Sequence, residues 1–501
     1  MVFSGDRAES ILVACAFRAK GFSRAVAYPM QTPTEEAGEF LRNGSERHGM
    51  HRLLDRLVIF GELDGRGILR QLADVSRQLE EGSVAPASLL PVVNMQVKHL
   101  LDMATRYAFD GNLWQSYLTF VLLTNENSFS LTAERRGIQQ GSVTGIALSD
   151  FQVFRELFAF DFSDMEKKLG TTLLSLMCNY QAVAKDRMSY YRCVSDIVRS
   201  VRDRLAATED SRAFYRVMCD AYKTHGVGAF GLNRAFRIRK DEGRIRHGEE
   251  EAGSLVPMER GGFEFVAINN LDDVRLSDLV GLEIQKEQLL ANTKAFLEGK
   301  PANNVLLYGD AGTGKSTSVK ALLNEFYVSG LRIIELHKHQ FEDLSNVVGL
   351  VKGRNYRFII FIDDLSFEEN EVEYKYLKAV IEGGLESRPE NVLIYATSNR
   401  RHLIREKWSD RDDMEHDGDI HRSDTVQEKT SLAARFGVAI NFRKPSAVLF
   451  REIVLELAKR QLPEIPDEED LLRQADAWAI RHGGVSGRAA QQFIDSLAGS
   501  F

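Results

Sequence analysis

From Leu53 to about Phe230 the apolar positions return at helical spacing. Trp114, Tyr117, Leu118 and Val121 stand at i, i+3, i+4 and i+7, and Met165, Leu169, Leu173 and Leu176 repeat similarly. Phe151, Val153, Phe154, Leu157 and Phe158 thicken this stripe, which predicts a helix-bundle core rather than a cofactor box. The pattern therefore predicts a mainly α-helical domain over 51–239, preceded by a weakly structured segment over 1–50. Between Lys240 and Gly262 charges mix with scattered glycines and Pro257, as in a linker over 240–262. The texture then changes. Short β-branched runs alternate with helical stretches: Asn304 to Tyr308, Arg332 to Leu336, Phe358 to Ile362, Val392 to Ala396 and Val438 to Phe442. Five such runs separated by helices predict a five-stranded parallel sheet covered on both faces, in an α/β core over 263–444. From Pro445 the period is helical again, with Asp467 and Ser486 as N-caps, which predicts a small helical lid over 445–501.

A chain of 501 residues is too long for one ordinary core, in keeping with this division. Lys and Arg number 64 against 72 Asp and Glu, a net charge of −8, so the global balance gives nucleic-acid binding no help. Cys15, Cys178, Cys193 and Cys219 form no CxxC or CxH cluster, which argues for free thiols rather than a zinc site or disulfide frame. The apolar run Ile11 to Phe17 follows Asp6 and Glu9 and closes at Arg18, a poor signal peptide, and no run approaches bilayer length. A cytoplasmic protein without a membrane partner is expected.

The sharpest chemical signal is Gly309-Asp310-Ala311-Gly312-Thr313-Gly314-Lys315-Ser316, continuing into Thr317. It fits GxxxxGK[ST], follows the apolar run Val305 to Tyr308 and precedes a helical pattern through Val319, Leu322 and Leu323. Glycines there let successive backbone N–H groups turn inward, and the helix N-terminus adds partial positive charge for phosphates. Lys315 can bridge the β- and γ-phosphates, and the Ser316 hydroxyl can ligate Mg²⁺. A second signal supports the first: Phe358 to Ile362 runs into Asp363-Asp364. A carboxylate at the end of a buried strand can hold Mg²⁺ through water, and its neighbour can orient an attacking water as general base. The run Arg332 to Leu336 lies between the two motifs in sequence and is expected to separate their strands in the sheet. Val392 to Ser398 ends at Asn399, within reach of the γ-phosphate or that water. Arg435 stands at a helix end before the fifth strand, and Gly487-Arg488 opens the last helix.

In this order the pieces resemble the AAA+ ATPases, over about Leu276 to Phe501. Gly309 to Ser316 resembles Walker A, Asp363-Asp364 Walker B, Asn399 sensor 1, Arg435 the arginine finger and Arg488 sensor 2. Leu276-Ser-Asp-Leu-Val280-Gly281 resembles the motif whose backbone holds adenine. Asp-Asp-Leu-Ser-Phe-Glu, Ala-Thr-Ser-Asn-Arg-Arg-His-Leu and Ser-Leu-Ala-Ala-Arg-Phe-Gly resemble one uncharacterised bacterial AAA+ family, a domain of unknown function. The resemblance implies a Mg²⁺-dependent ATPase assembled into a ring or helical oligomer, with Arg435 completing a neighbour's site. Asp364 stands where most relatives carry glutamate, and Glu368 is an alternative base. His337 to Glu342 lacks the aromatic-hydrophobic-glycine pore loop of threading unfoldases. The expected role is remodelling of a protein partner held by the helical domain. A DNA-associated loader or regulator is the alternative, resting on Arg234, Arg237, Arg239, Lys240, Arg244 and Arg246, plus Arg400-Arg401. The charged stretch Arg401 to Thr430 reads as a solvated loop.

Overall fold

The computed structural model describes residues 49–499 except 64–66, 139–140, 183–191, 241–262, 269–270, 368–370, 372, 383–388, 400–431 and 465. The expected linker beyond Lys240, Glu368, Arg400-Arg401 and the charged loop after them lie outside the described residues.

Helices between Met50 and Thr224 close around one apolar core, in which Trp114, Tyr117, Leu118, Phe151, Phe154 and Leu157 are all buried. Asp150, fully buried among them, accepts the N–H groups of Val58, Ile59 and Phe60 at 2.8–3.2 Å. A buried carboxylate is tolerated because these donors replace its water. Cys178 and Cys219 are free thiols, and burial pushes both up to about 11. No helix among the described residues is long and apolar enough to cross a membrane.

Seven strands among the described residues form one sheet: β1 (Ala235–Lys240), β2 (Phe263–Ala267), β3 (Val305–Gly309), β4 (Leu331–Glu335), β5 (Arg357–Ile362), β6 (Val392–Ser398) and β7 (Val438–Phe442). Their order is β2-β1-β4-β5-β6-β3-β7; β1 and β2 pair antiparallel, and all other neighbours are parallel. Alternate residues of the central strands feed two cores. Leu306, Phe358, Ile360 and Ile394 pack with the helices Leu344–Val351 and Glu373–Glu382, and Leu307, Ile359, Phe361 and Tyr395 with Glu283–Leu297 and Lys315–Phe326. The last three helices, Ala447–Gln461, Glu468–Arg481 and Gly487–Ala498, share a further core around Phe450, Val454, Leu471 and Phe493. Asp467 and Ser486 cap the second and third, accepting N–H bonds from Asp470 at 3.2 Å and Ala489 at 3.1 Å.

Two expectations change. The sheet has seven strands, not five, because residues 235–239, grouped with the helical segment, and the chain after the expected linker add an antiparallel pair at one edge. In β1, Phe236 and Ile238 point inward, whereas Arg237 and Arg239 lie on the exposed face and Lys240 is exposed at the strand's end. Second, the strand that separates β5 from β3 is β6; β4 lies on the far side of β5. Each crossover helix lets the chain step past a position that a later strand fills, so order in sequence does not give order in the sheet.

The helical region meets the sheet at the N-terminal ends of β4 and β5, opposite the phosphate-binding loop. Arg354, almost wholly buried, donates to Glu134 at 3.0 and 3.1 Å, to Glu126 at 2.9 Å and to the Val227 carbonyl at 2.9 Å. Burial opposes its charge, but the two carboxylates outweigh that penalty and hold the guanidinium protonated. Glu134, 1 % exposed, also accepts N–H groups from Val227 at 2.9 Å and Asn355 at 3.3 Å. Beside it, Tyr356 donates to the His225 carbonyl and Arg332 to the Phe230 carbonyl. Removing one partner of such a buried cluster strands the other's charge. Arg354→Ala is expected to cost about 3–5 kcal/mol, read as a lowered midpoint of chemical denaturation. A cost below about 1 kcal/mol would mean that the cluster does not tie the two regions.

Candidate functional site

The phosphate-binding loop follows β3 as the sequence predicts, and each of its glycines has a steric reason. Gly309 adopts φ +136°, and a Cβ there would lie 2.0 Å from the Phe442 carbonyl oxygen on β7. Gly312 adopts φ +73°, where a Cβ would crowd Arg488 at 3.1 Å. Asp310 ties the loop to the end of β7: its N–H donates to the Phe442 carbonyl and its carboxylate accepts the Lys444 N–H, both at 3.0 Å. The Thr313 hydroxyl donates to the Asp310 carbonyl at 2.8 Å, and Ala311 is exposed at the tip. Lys315, Ser316 and Thr317 open the helix Lys315–Phe326, with Gly314 at the cap position and no side chain capping the first turn.

Lys315 is folded back on the loop. Its Nζ donates to the carbonyls of Gly309 at 3.0 Å and Asp310 at 2.6 Å, and to Asn399 Oδ1 at 3.0 Å. Ser316 Oγ donates to Asp363 Oδ1 at 2.6 Å. Asn399 Nδ2 donates to Asp364 Oδ1 at 2.8 Å, so one amide bridges Lys315 and Asp364. The structure thus brings together Lys315, Ser316, Asp363, Asp364 and Asn399 at the C-terminal ends of β3, β5 and β6. Burial lowers the pKa of Lys315 and Arg488 lowers it further, against the upward pull of Asp364, Asp310 and Asp363.

The remaining residues divide. The N–H of Arg488 donates to the Gly312 carbonyl at 3.2 Å, so the last helix begins against the loop. Val280 and Gly281 follow a 3₁₀ turn, Leu276–Asp278; Gly281 faces the helix Ala447–Gln461, and the flanking Leu279 and Leu282 approach Gly314 of the loop. A Cβ at Gly281 would collide with Leu449 Cδ1 at 2.2 Å, while one at Gly314 would come within 3.3 Å of Leu282 Cδ1. Arg460 fastens the two sides by donating to Asp278 at 2.9 Å. Arg435 stands apart. Phe442 is level with Gly309 and Val438 with Val305, so Arg435 precedes the opposite end of β7, about 15 Å away along the strand.

Sequence reasoning missed Thr397. It lies inside the polar end of β6, beside Ser398 and Asn399, and nothing in the sequence sets its hydroxyl apart from theirs.

The site fits a triphosphate with a divalent cation. Three positive-φ glycines leave backbone that a Cβ would fill, a helix N-terminus faces the cradle, and a hydroxyl and carboxylate meet at 2.6 Å as a paired oxygen donor set. Residues 255–501 match the model of a family described as "Protein of unknown function (DUF815)". This part of the chain belongs to that family, within the AAA+ ATPases. The AAA+ module is similar to the replication factor C large subunit of Staphylothermus marinus, 33% identical over 79 residues covering 16% of this chain and 18% of that protein. It is also similar to the ATP-dependent zinc metalloprotease FtsH 2 of Salinibacter ruber, 27% identical over 240 residues, 42% of this chain and 34% of that protein. The chain thus spans about a third or less of these curated relatives. Among solved structures, the Thermotoga maritima RuvB Holliday junction branch migration motor aligns at 17% identity over 44% of this chain and 63% of that one, with a TM-score of 0.30.

A lysine whose pKa is lowered gives up its proton at lower pH than a free one. If Lys315⁺ grips phosphate, metal-free ATP affinity should fall with rising pH starting below 10.5, the ordinary lysine value. Titrations with a fluorescent ATP analogue should find Lys315→Arg flat across that window. Equal pH dependence in both proteins would remove Lys315 from phosphate binding.

Proposed function

We propose that the chain binds MgATP between its α/β core and helical lid and hydrolyses it to ADP and phosphate. The observation that carries this reading is the Ser316–Asp363 contact at 2.6 Å, made beside Lys315 and Asn399. The 263–444 core supplies the catalytic groups, the 445–501 lid closes on them and the helical 51–239 region precedes them. Lys315 turns from the loop carbonyls to the β- and γ-phosphates. Asp364 accepts the proton of the attacking water, with Glu368 as alternative base, and Asn399 orients Asp364 against Lys315. Ser316 and Asp363 would hold Mg²⁺, which neutralises charge on the β- and γ-phosphate oxygens when bound there. Arg488, at the start of a lid helix that touches Gly312, would pass the nucleotide state to the lid.

Arg435 lies before the far end of β7, too distant to serve its own site, and instead completes a neighbour's in a ring or helical oligomer. The work done is remodelling of a protein partner held by the helical region. The DNA-loader alternative draws less support, because three residues of its basic cluster are matched by acids. Arg237 pairs with Glu335 and Arg239 with Glu264 at 2.8 Å, while Lys240 pairs with Glu342. Cations already paired release few counterions and add little to binding a phosphate backbone.

Phosphate release measured against protein concentration tests this mechanism. Turnover per subunit should rise with concentration, and Arg435→Ala should bind ATP but lose about 10³-fold or more in turnover. Flat turnover with an unaffected Arg435→Ala would leave a self-contained nucleotide switch instead.

A further inference from the structure

Thr397 is 1 % exposed, near the end of a strand whose other central side chains are apolar. A hydroxyl so placed is costly unless it is paired. It is paired twice. Thr397 Oγ1 donates to Asp363 Oδ1 at 2.5 Å and accepts the backbone N–H of Asp364 at 2.9 Å. Its carbonyl accepts the Leu365 N–H at 2.7 Å. One residue of β6 therefore holds three consecutive residues beyond β5.

The register explains why this position can do so. Ile362 is level with Ala396, and Leu307 with Thr397, so Thr397 stands beside Asp363 on one side and near the start of the phosphate-binding loop on the other. Asp364 takes φ +51°, left-handed for a residue with a Cβ, and its N–H bond to Thr397 holds the chain in that turn. Asp363 Oδ1 receives two hydroxyl donors, Ser316 and Thr397, so the rotation of its carboxylate is fixed from both sides.

We propose that Thr397 is the positioning residue for both carboxylates. It presents Asp363 to the cation held with Ser316, and it sets the turn that points Asp364 at the attacking water. The proposal rests on the MgATP reading above and deepens it. Groups that orient metal-binding side chains typically change metal affinity or turnover ~10–100-fold when removed. Thr397→Val keeps the shape and deletes the hydroxyl, and Thr397→Ser keeps the hydroxyl and deletes the methyl.

The test combines two readouts: binding of a fluorescent ATP analogue with Mg²⁺ or with EDTA, and phosphate release. Thr397→Val should bind the metal-free analogue within about 3-fold of wild type, but need ~10–100-fold more Mg²⁺ for the metal-dependent gain. Its kcat should fall by a similar factor while KM moves little, and Thr397→Ser should recover most of both. Should Thr397→Val not accumulate as folded protein, Thr397→Ala makes the same deletion with a smaller side chain. Equal impairment of Thr397→Ser and Thr397→Val, or equal loss of metal-free binding, would make the residue merely structural and overturn the proposal. A Thr397→Val that matches wild type would also overturn it while leaving the ATPase reading intact. If wild type itself neither binds the analogue nor releases phosphate, the ATPase reading fails first and takes this proposal with it.

Discussion

A closed circuit of hydrogen bonds ties the ends of three neighbouring strands together. Ser316 and Thr397 both donate to Asp363 Oδ1, and Thr397 accepts the Asp364 N–H. Asn399 donates to Asp364 and accepts from Lys315, the chain neighbour of Ser316. The links through Thr397 and Asn399 need β6 to lie between β3 and β5, so the strand order is what closes the circuit. The circuit also explains how two carboxylates sit side by side near a phosphate-binding loop. Two hydroxyls donate to Asp363 and an amide to Asp364, with the Lys315 ammonium reaching them only through Asn399, and hydrogen bonds to a charged acceptor are the strong ones.

The opposite end of the same sheet is fastened differently. There Arg354, just before β5, is buried among Glu126, Glu134 and the Val227 carbonyl, so the helical region grips the strand that ends in Asp363-Asp364. A rigid strand held at one end by the helical region and at the other by the hydrogen-bond circuit offers a short mechanical path between them. Packed elements of this kind carry coupling only if they have two arrangements. The Arg460–Asp278 bond and the close approach of Leu449 to Gly281 join the helix Ala447–Gln461 to the turn that precedes the loop.

The phosphate-binding loop was legible because its chemistry is local: glycines, lysine and serine are consecutive, and their geometry follows from φ angles. Asp363-Asp364 and Asn399 were legible for the same reason, each ending an apolar run. Thr397 was not, because a threonine in a strand is ordinary until the lateral neighbour is known, and the strand order was misread when β4 was expected where β6 lies. The β1–β2 edge was hidden too. Arg237, Arg239 and Lys240 read as a basic cluster at the end of the helical segment rather than as a strand, although each has a carboxylate partner contributed by a neighbouring part of the fold. Glu134 sits in the short helix Ser128–Arg136 among arginines and reads as a surface acid, yet it is the buried hub of the junction. Long-range pairing, unlike local pattern, leaves no mark on a single sequence.

The central claim is that this circuit opens to take MgATP, and the most direct test is a crystal structure of the full chain with a non-hydrolysable ATP analogue and Mg²⁺. The account predicts the triphosphate wrapped by residues 309–316, Lys315 Nζ moved from the loop carbonyls to phosphate oxygens, and the cation at about 2.1 Å from Ser316 Oγ with Asp363 in its surroundings. A nucleotide bound elsewhere, or a cation remote from Ser316 and Asp363, would contradict it.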